Sequence, residues 1–128
     1  MSFCTVINCM DGRVQLPIIE YLKSHYGIDY VDSITEPGPV RILSDEQNGK
    51  YSELIINKLE LSLMRHASRL IAISAHYDCC GNPADETTQK KQLESAVKFI
   101  SSKYPDTPVL GLWVDSDWKV YQVCSNGK

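Results

Sequence analysis

Apolar and polar residues change period several times along this chain, and each change marks an element. Residues 3–8 (FCTVIN) form a short, β-branched run that predicts a central strand. Leu16, Ile19, Leu22 and Tyr26 then recur at helical spacing, with Pro17 in the first turn and Gly27 placed to stop the helix. Residues 28–34 (IDYVDSI) alternate as a second strand. Glu36-Pro37-Gly38-Pro39 reads as a breaker, and the polar stretch from Ser44 to Lys50 extends it as a loop. From Tyr51 to His66, Ile56, Leu59 and Leu63 share one face, which Leu54 and Leu61 widen. That pattern predicts a helix buried over much of its circumference.

The second half is plainer. Residues 70–75 (LIAISA) are almost continuously apolar, as in a parallel strand covered on both faces. Asn82-Pro83-Ala84-Asp85-Glu86 resembles a helix start, with Asn82 as cap, and Leu93, Ala96, Val97, Ile100 and Tyr104 carry the stripe onward. Residues 109–114 predict another buried strand. After a turn at Ser116-Asp117, residues 119–124 alternate as a final, antiparallel strand. Strands alternating with helices predict an α/β fold. It has a mostly parallel sheet of four strands plus a C-terminal antiparallel strand, helices on both faces, and residues 1–128 as one domain.

Composition narrows the class. Hydrophobic residues at 43% and charged residues at 23% suit a globular protein with one real core. A formal charge of −3 offers no basic field to phosphates, which argues against nucleic acid as the main partner. No run has membrane-spanning length, and the first residues lack the charged and apolar regions of a signal peptide. The expectation is a cytoplasmic protein with no membrane partner. Its five cysteines are then reduced thiols or metal ligands. Cys4 and Cys124 lie in strand-like runs and read as small buried hydrophobes.

Cys9, Cys79 and Cys80 differ, because they stand where strands end. In sheets of this kind, reactive groups gather at the carboxyl ends of the strands. Cys9-Met10-Asp11-Gly12-Arg13 follows the first strand, and His76-Tyr77-Asp78-Cys79 follows the third. Zinc favours thiolate and imidazole, and catalytic sites keep three protein ligands and an open position. Cys9, His76 and Cys79 are the candidate ligands. Cys80 is set aside, since adjacent residues rarely point at one metal. Asp11 and Arg13, two apart in the first loop, can form a charge-assisted pair that keeps the carboxylate ionised and aimed. His25 and His66 read as helix-end residues, and Trp113 and Trp118 as core and turn packing. A redox reading of Cys79-Cys80 lacks a Cys-x-x-Cys pair.

Cys9-x-Asp11-x-Arg13 with His76-x-x-Cys79 resembles the signature of the β-class carbonic anhydrases. Leu59-Glu60-Leu61-Ser62, Arg69 to Ile73 and Gly111 to Asp115 extend the likeness over most of the chain. The resemblance implies a zinc ion on Cys9, His76 and Cys79, with Asp11 and Arg13 serving the zinc-bound water. It also implies reversible hydration of carbon dioxide to bicarbonate by a homodimer or higher homo-oligomer. Glu36-Pro37-Gly38-Pro39 stands where the family carries an Arg-Asn-Ala-Gly-like stretch, and Cys80 where glycine is common. Two alternatives therefore stay open: a non-catalytic zinc-binding domain on the same scaffold, and a hydrolase of a small carbon dioxide analogue such as carbon disulfide.

Overall fold

The computed structural model describes residues 1–126. Its strands are β1 (Phe3–Cys9), β2 (Tyr30–Glu36), β3 (Ile71–His76), β4 (Val109–Val114) and β5 (Val120–Asn126). The helices are α1 (Gln15–Tyr26), α2 (Pro39–Asp45), α3 (Lys50–Arg65) and α4 (Glu86–Lys103), and a 3-10 turn at Gly12–Val14 precedes α1. One sheet runs in the order β2-β1-β3-β4-β5, with parallel pairing throughout except for the antiparallel β5. This is the predicted α/β architecture.

Side chains alternate across each strand, so the sheet feeds two cores. On one face Ile7, Ile34, Ile71, Ile73, Val109 and Trp113 pack with apolar residues of α2, α3 and α4. On the other, Cys4, Val6, Ala72, Leu110, Leu112 and Val114 pack with Ile18 and Leu22 of α1. Every residue of β3 and β4 is buried, as expected for strands covered on both sides. No helix among the described residues is long and apolar enough to cross a membrane.

Several elements differ from their expectation, each for a physical reason. The stretch read as a loop contains α2, which buries Val40, Ile42 and Leu43. Pro39 does not break that helix, because it occupies the first turn, where no amide is needed. On α1 the buried line is Val14, Ile18 and Leu22, and Leu16 is exposed. On α3 the buried face is Ser52, Ile55, Leu59 and Ser62, while Leu54 and Leu61 face outward. Two serines are tolerated there because both are satisfied. Ser52 Oγ donates to the Ile42 and Glu46 carbonyls, and Ser62 Oγ donates to Asp32 at 2.7 Å. Helix α4 starts at Glu86 rather than near Asn82. Asp85 caps it by accepting from the Thr88 amide at 2.8 Å, whereas Asn82 is buried and bonded to Gln92. Strand β2 lies two residues later than read, and β5 runs on to Asn126.

Candidate metal centre

β1 and β3 are adjacent parallel strands, so Cys9 and His76, the last residues of each, emerge at one edge of the sheet. Beyond His76 the chain reverses at Asp78, whose φ of 59° is left-handed, and returns Cys79 to the same point. All three residues are buried, and their ligand atoms lie within 4.8 Å of one another. The two sulfurs are 3.8 Å apart, nearly twice a disulfide bond, and both cysteines are free. The three candidate ligands are thus brought together, and Cys80 points to solvent.

The imidazole tautomer follows from its hydrogen bond. His76 Nδ1 donates to the Tyr77 carbonyl at 2.7 Å, which leaves the lone pair on Nε2. Nε2 is buried and is the one such side-chain polar atom without a hydrogen-bond partner among the described residues. An unsatisfied buried acceptor costs about 1–3 kcal/mol, and a cation removes that cost. Two thiols and one imidazole, with no fourth protein donor in the cluster, form a donor set suited to a tetrahedral ion with one open position. The residues present fit a bound metal ion.

Charge is arranged around the sulfurs accordingly. The Cys79 thiol donates to Cys9 and holds the Cys9 thiol well below its ordinary range, against the cost of burial, and His76 and the Gly38 and Asp11 amides lower it further. Cys79 is pushed up by the same thiolate and by burial, while the Asn82 and Gly81 amides pull it back. Burial opposes a proton on His76, but Cys9, the Tyr77 carbonyl and Asp11 together outweigh it and raise the imidazole pKa. Cys9 therefore faces one amide from a second loop, that of Gly38, and Cys79 faces amides of its own loop, the kind of support that orients metal ligands.

Asp11 and Arg13 sit beside the cluster on the 3-10 turn. Asp11 Oδ1 accepts from the Arg13 amide at 2.9 Å and from Nε at 3.0 Å, and Oδ2 accepts from Nη2 at 2.7 Å. The guanidinium holds the Asp11 carboxyl down at about 2. Arg13 also reaches across to the ligand loop, where Nη1 meets Asp78 Oδ2 at 3.3 Å and Nη2 meets the Asp78 carbonyl at 3.1 Å.

Other supports escape a reading of the sequence. Gln15 Nε2 donates to the Cys9 and Asp11 carbonyls at 2.7 and 2.9 Å and shapes the first loop. Gln89, buried on α4, donates to the carbonyls of His76 at 3.0 Å and Ala84 at 3.1 Å. Its signal was available: Gln89 is the polar member of the stripe continued by Leu93, Ala96 and Ile100. The remaining histidines are elsewhere. His66 pairs with Asp32 at 2.6 Å and stacks on Phe3, and His25 bonds the Tyr21 carbonyl near the end of α1.

Comparison with known proteins gives the fold and the family. A carbonic anhydrase from Glaciozyma antarctica superposes with a TM-score of 0.61 at 14% identity, covering 94% of this chain and 81% of its own. A tetrameric β-carbonic anhydrase of Sordaria macrospora gives 0.62 at 12% identity, covering 96% and 82%. At these identities the likeness is one of fold. A phosphoglycerate kinase of Ureaplasma parvum serovar 3 is 24% identical over 114 residues, which are 88% of this chain. The chain spans only 26% of that protein's length. A family model described as "Putative carbonic anhydrase" matches residues 1–124. With that match running over nearly its whole length, on a β-carbonic-anhydrase fold, the chain belongs to this carbonic anhydrase family.

Proposed function

We propose that this protein is a zinc lyase that interconverts carbon dioxide and bicarbonate, with Cys9, His76 and Cys79 holding the metal. The observation that carries the proposal is the unpartnered, buried Nε2 of His76, on a ring that brings a ligand nitrogen within 4.8 Å of two free sulfurs. When bound, zinc supplies Lewis-acid chemistry, lowering the pKa of a coordinated water to about 7 so that hydroxide is available at neutral pH.

The chain's own groups do the rest. Cys9 and Cys79 bind as thiolates, so loading the site releases protons, and the amides of Gly38, Gly81 and Asn82 stabilise the charge that remains. His76 offers Nε2 because Tyr77 holds the Nδ1 proton. Asp11 stays ionised at every physiological pH and acts as an acceptor only. Arg13 occupies part of its lone-pair capacity, and what is left takes the O–H of the attacking oxygen, aiming a lone pair at carbon dioxide. A group titrating at about 2 does not carry the departing proton at neutrality, so Asp11 orients and does not shuttle. The overall reaction consumes water and carbon dioxide and yields bicarbonate and a proton.

A homo-oligomer belongs to the same reading. The Sordaria enzymes are described as tetrameric. Here Met10 and Tyr77, each next to a ligand in sequence, are 63% and 51% exposed, apolar surface that a second copy would cover. The function is tested by assaying zinc-loaded protein with carbon dioxide and with carbon disulfide. Hydration of carbon dioxide is expected. Turnover of carbon disulfide alone assigns the analogue-hydrolase reading instead, and a loaded protein inert to both assigns a non-catalytic zinc domain.

A further inference from the structure

Three described residues other than glycine adopt positive φ: Ala67, Asp78 and Trp118. Two of the three touch the same guanidinium. Asp78, at φ 59°, bonds Arg13 through both its carboxylate and its carbonyl. Trp118, at φ 61°, lays its ring 4.5 Å from the Arg13 guanidinium carbon. A bulky side chain rarely occupies left-handed backbone, which glycine and asparagine adopt at lower cost. Strain of this kind persists where the surroundings hold it for a purpose.

The turn that carries Trp118 does not itself call for an indole. The Trp118 amide donates to the Asp115 carbonyl at 3.0 Å, and the Asp115 carboxylate accepts the Asp117 and Lys119 amides at 2.9 and 3.0 Å. Those bonds close the turn whatever side chain stands at 118. What the ring adds, beyond partial cover of the apolar cluster under α1, is its contact with Arg13. The guanidinium's in-plane donors go to Asp11 and Asp78, and its central carbon lies over the Trp118 ring. Three separate segments converge on one side chain, and a planar cation is the group that can meet all of them.

We propose that Trp118, with Asp78, is a positioning residue that clamps Arg13 in the orientation that grips Asp11. The functional value of the clamp rests on the reading of Asp11 as the group that orients the reacting oxygen; the clamp itself is tested apart from it. The readout is hydrogen exchange at the Arg13 Nε–Hε group, followed by nitrogen-15 NMR in zinc-loaded protein. Trp118→Asn and Trp118→Gly remove the ring but suit the backbone, so melting temperature is expected to hold or rise. Arg13 exchange is expected to quicken about two- to fivefold, the scale of one partly exposed cation–π contact, with hydration kcat falling by a similar factor. Trp118→Tyr, which keeps an aromatic face, is expected to retain wild-type exchange. Wild-type protection of Arg13 in the Asn and Gly variants overturns the proposal, as does Tyr exchanging as fast as Asn. A wild-type protein without hydration activity would refute the enzyme reading and leave the exchange result to decide the clamp.

Discussion

Gly38 and Gly81 meet backbone to backbone. A Cβ on Gly81 would lie 2.6 Å from the Pro37 carbonyl carbon, and one on Gly38 would lie 2.8 Å from the carbonyl carbon of Gly81. This contact seats the loop after β2 against the ligand loop after β3. It also sets one amide at each sulfur, that of Gly38 at Cys9 and that of Gly81 at Cys79. The stretch Glu36-Pro37-Gly38-Pro39 thus supports the candidate metal centre directly.

Gly81→Ala forces apart two stretches of backbone that have no flexible side chain to yield. Overpacking of this kind costs about 1–3 kcal/mol, and the variant is expected to melt lower and to lose zinc faster to a chromophoric chelator. Gly12→Ala is the control, since a Cβ there meets nothing within 4 Å. It should unfold within about 0.5 kcal/mol of the wild type in a urea titration.

Thiol chemistry distinguishes four of the five cysteines. Cys80 is exposed, whereas Cys4 is buried with its pKa pushed up to about 12 by burial and then by Asp32. In zinc-loaded native protein at pH 8, iodoacetamide is expected to modify Cys80 first and to spare Cys4, Cys9 and Cys79. Removing the metal should open the Cys9–Cys79 pair to the reagent through the Cys9 thiolate, as read by peptide mass mapping. Equal modification of those two with and without zinc would mean that they do not hold it.

Alkaline stability follows from two acids, the buried Cys4 and the partly buried Tyr104. Cys4 rises from 9.0 to about 12, chiefly by burial, and Tyr104 rises from 10.0 to about 12 by burial and then by neighbouring Glu60. Both are neutral when protonated, and their folded pKa exceeds the unfolded one. Their contribution is therefore complete below pH 9 and is lost as pH rises from 9 toward 12. Melting temperature should fall across that window, and Cys4→Val should flatten the lower part of the fall. An unchanged slope in Cys4→Val would remove Cys4 from the account.

The sheet and the three candidate ligands were legible because both rest on short-range signals. Residues 109–114 and the stripe Leu93 to Ile100 state their own burial, and His76-x-x-Cys79 states its own geometry. Faces of helices were harder to read where polarity and burial part company. Ser52 and Ser62 are buried because distant carbonyls and Asp32 satisfy them, while Leu54 and Leu61 are left outside. Helix α2 was hidden by Pro39, a breaker in one position and a helix starter in another. Trp118 was read as turn packing, since only the folded chain brings Arg13 under its ring.

The proposed function requires that Cys9, His76 and Cys79 hold the ion on which activity depends. Its most direct measurement is the initial rate of carbon dioxide hydration as zinc is titrated into metal-free protein. The rate is expected to rise linearly and break at about one zinc per chain, the stoichiometry of a three-ligand catalytic site, and Cys9→Ala should stay at the buffer rate throughout. A protein that takes up zinc to that point while hydration never exceeds the buffer rate would contradict the account.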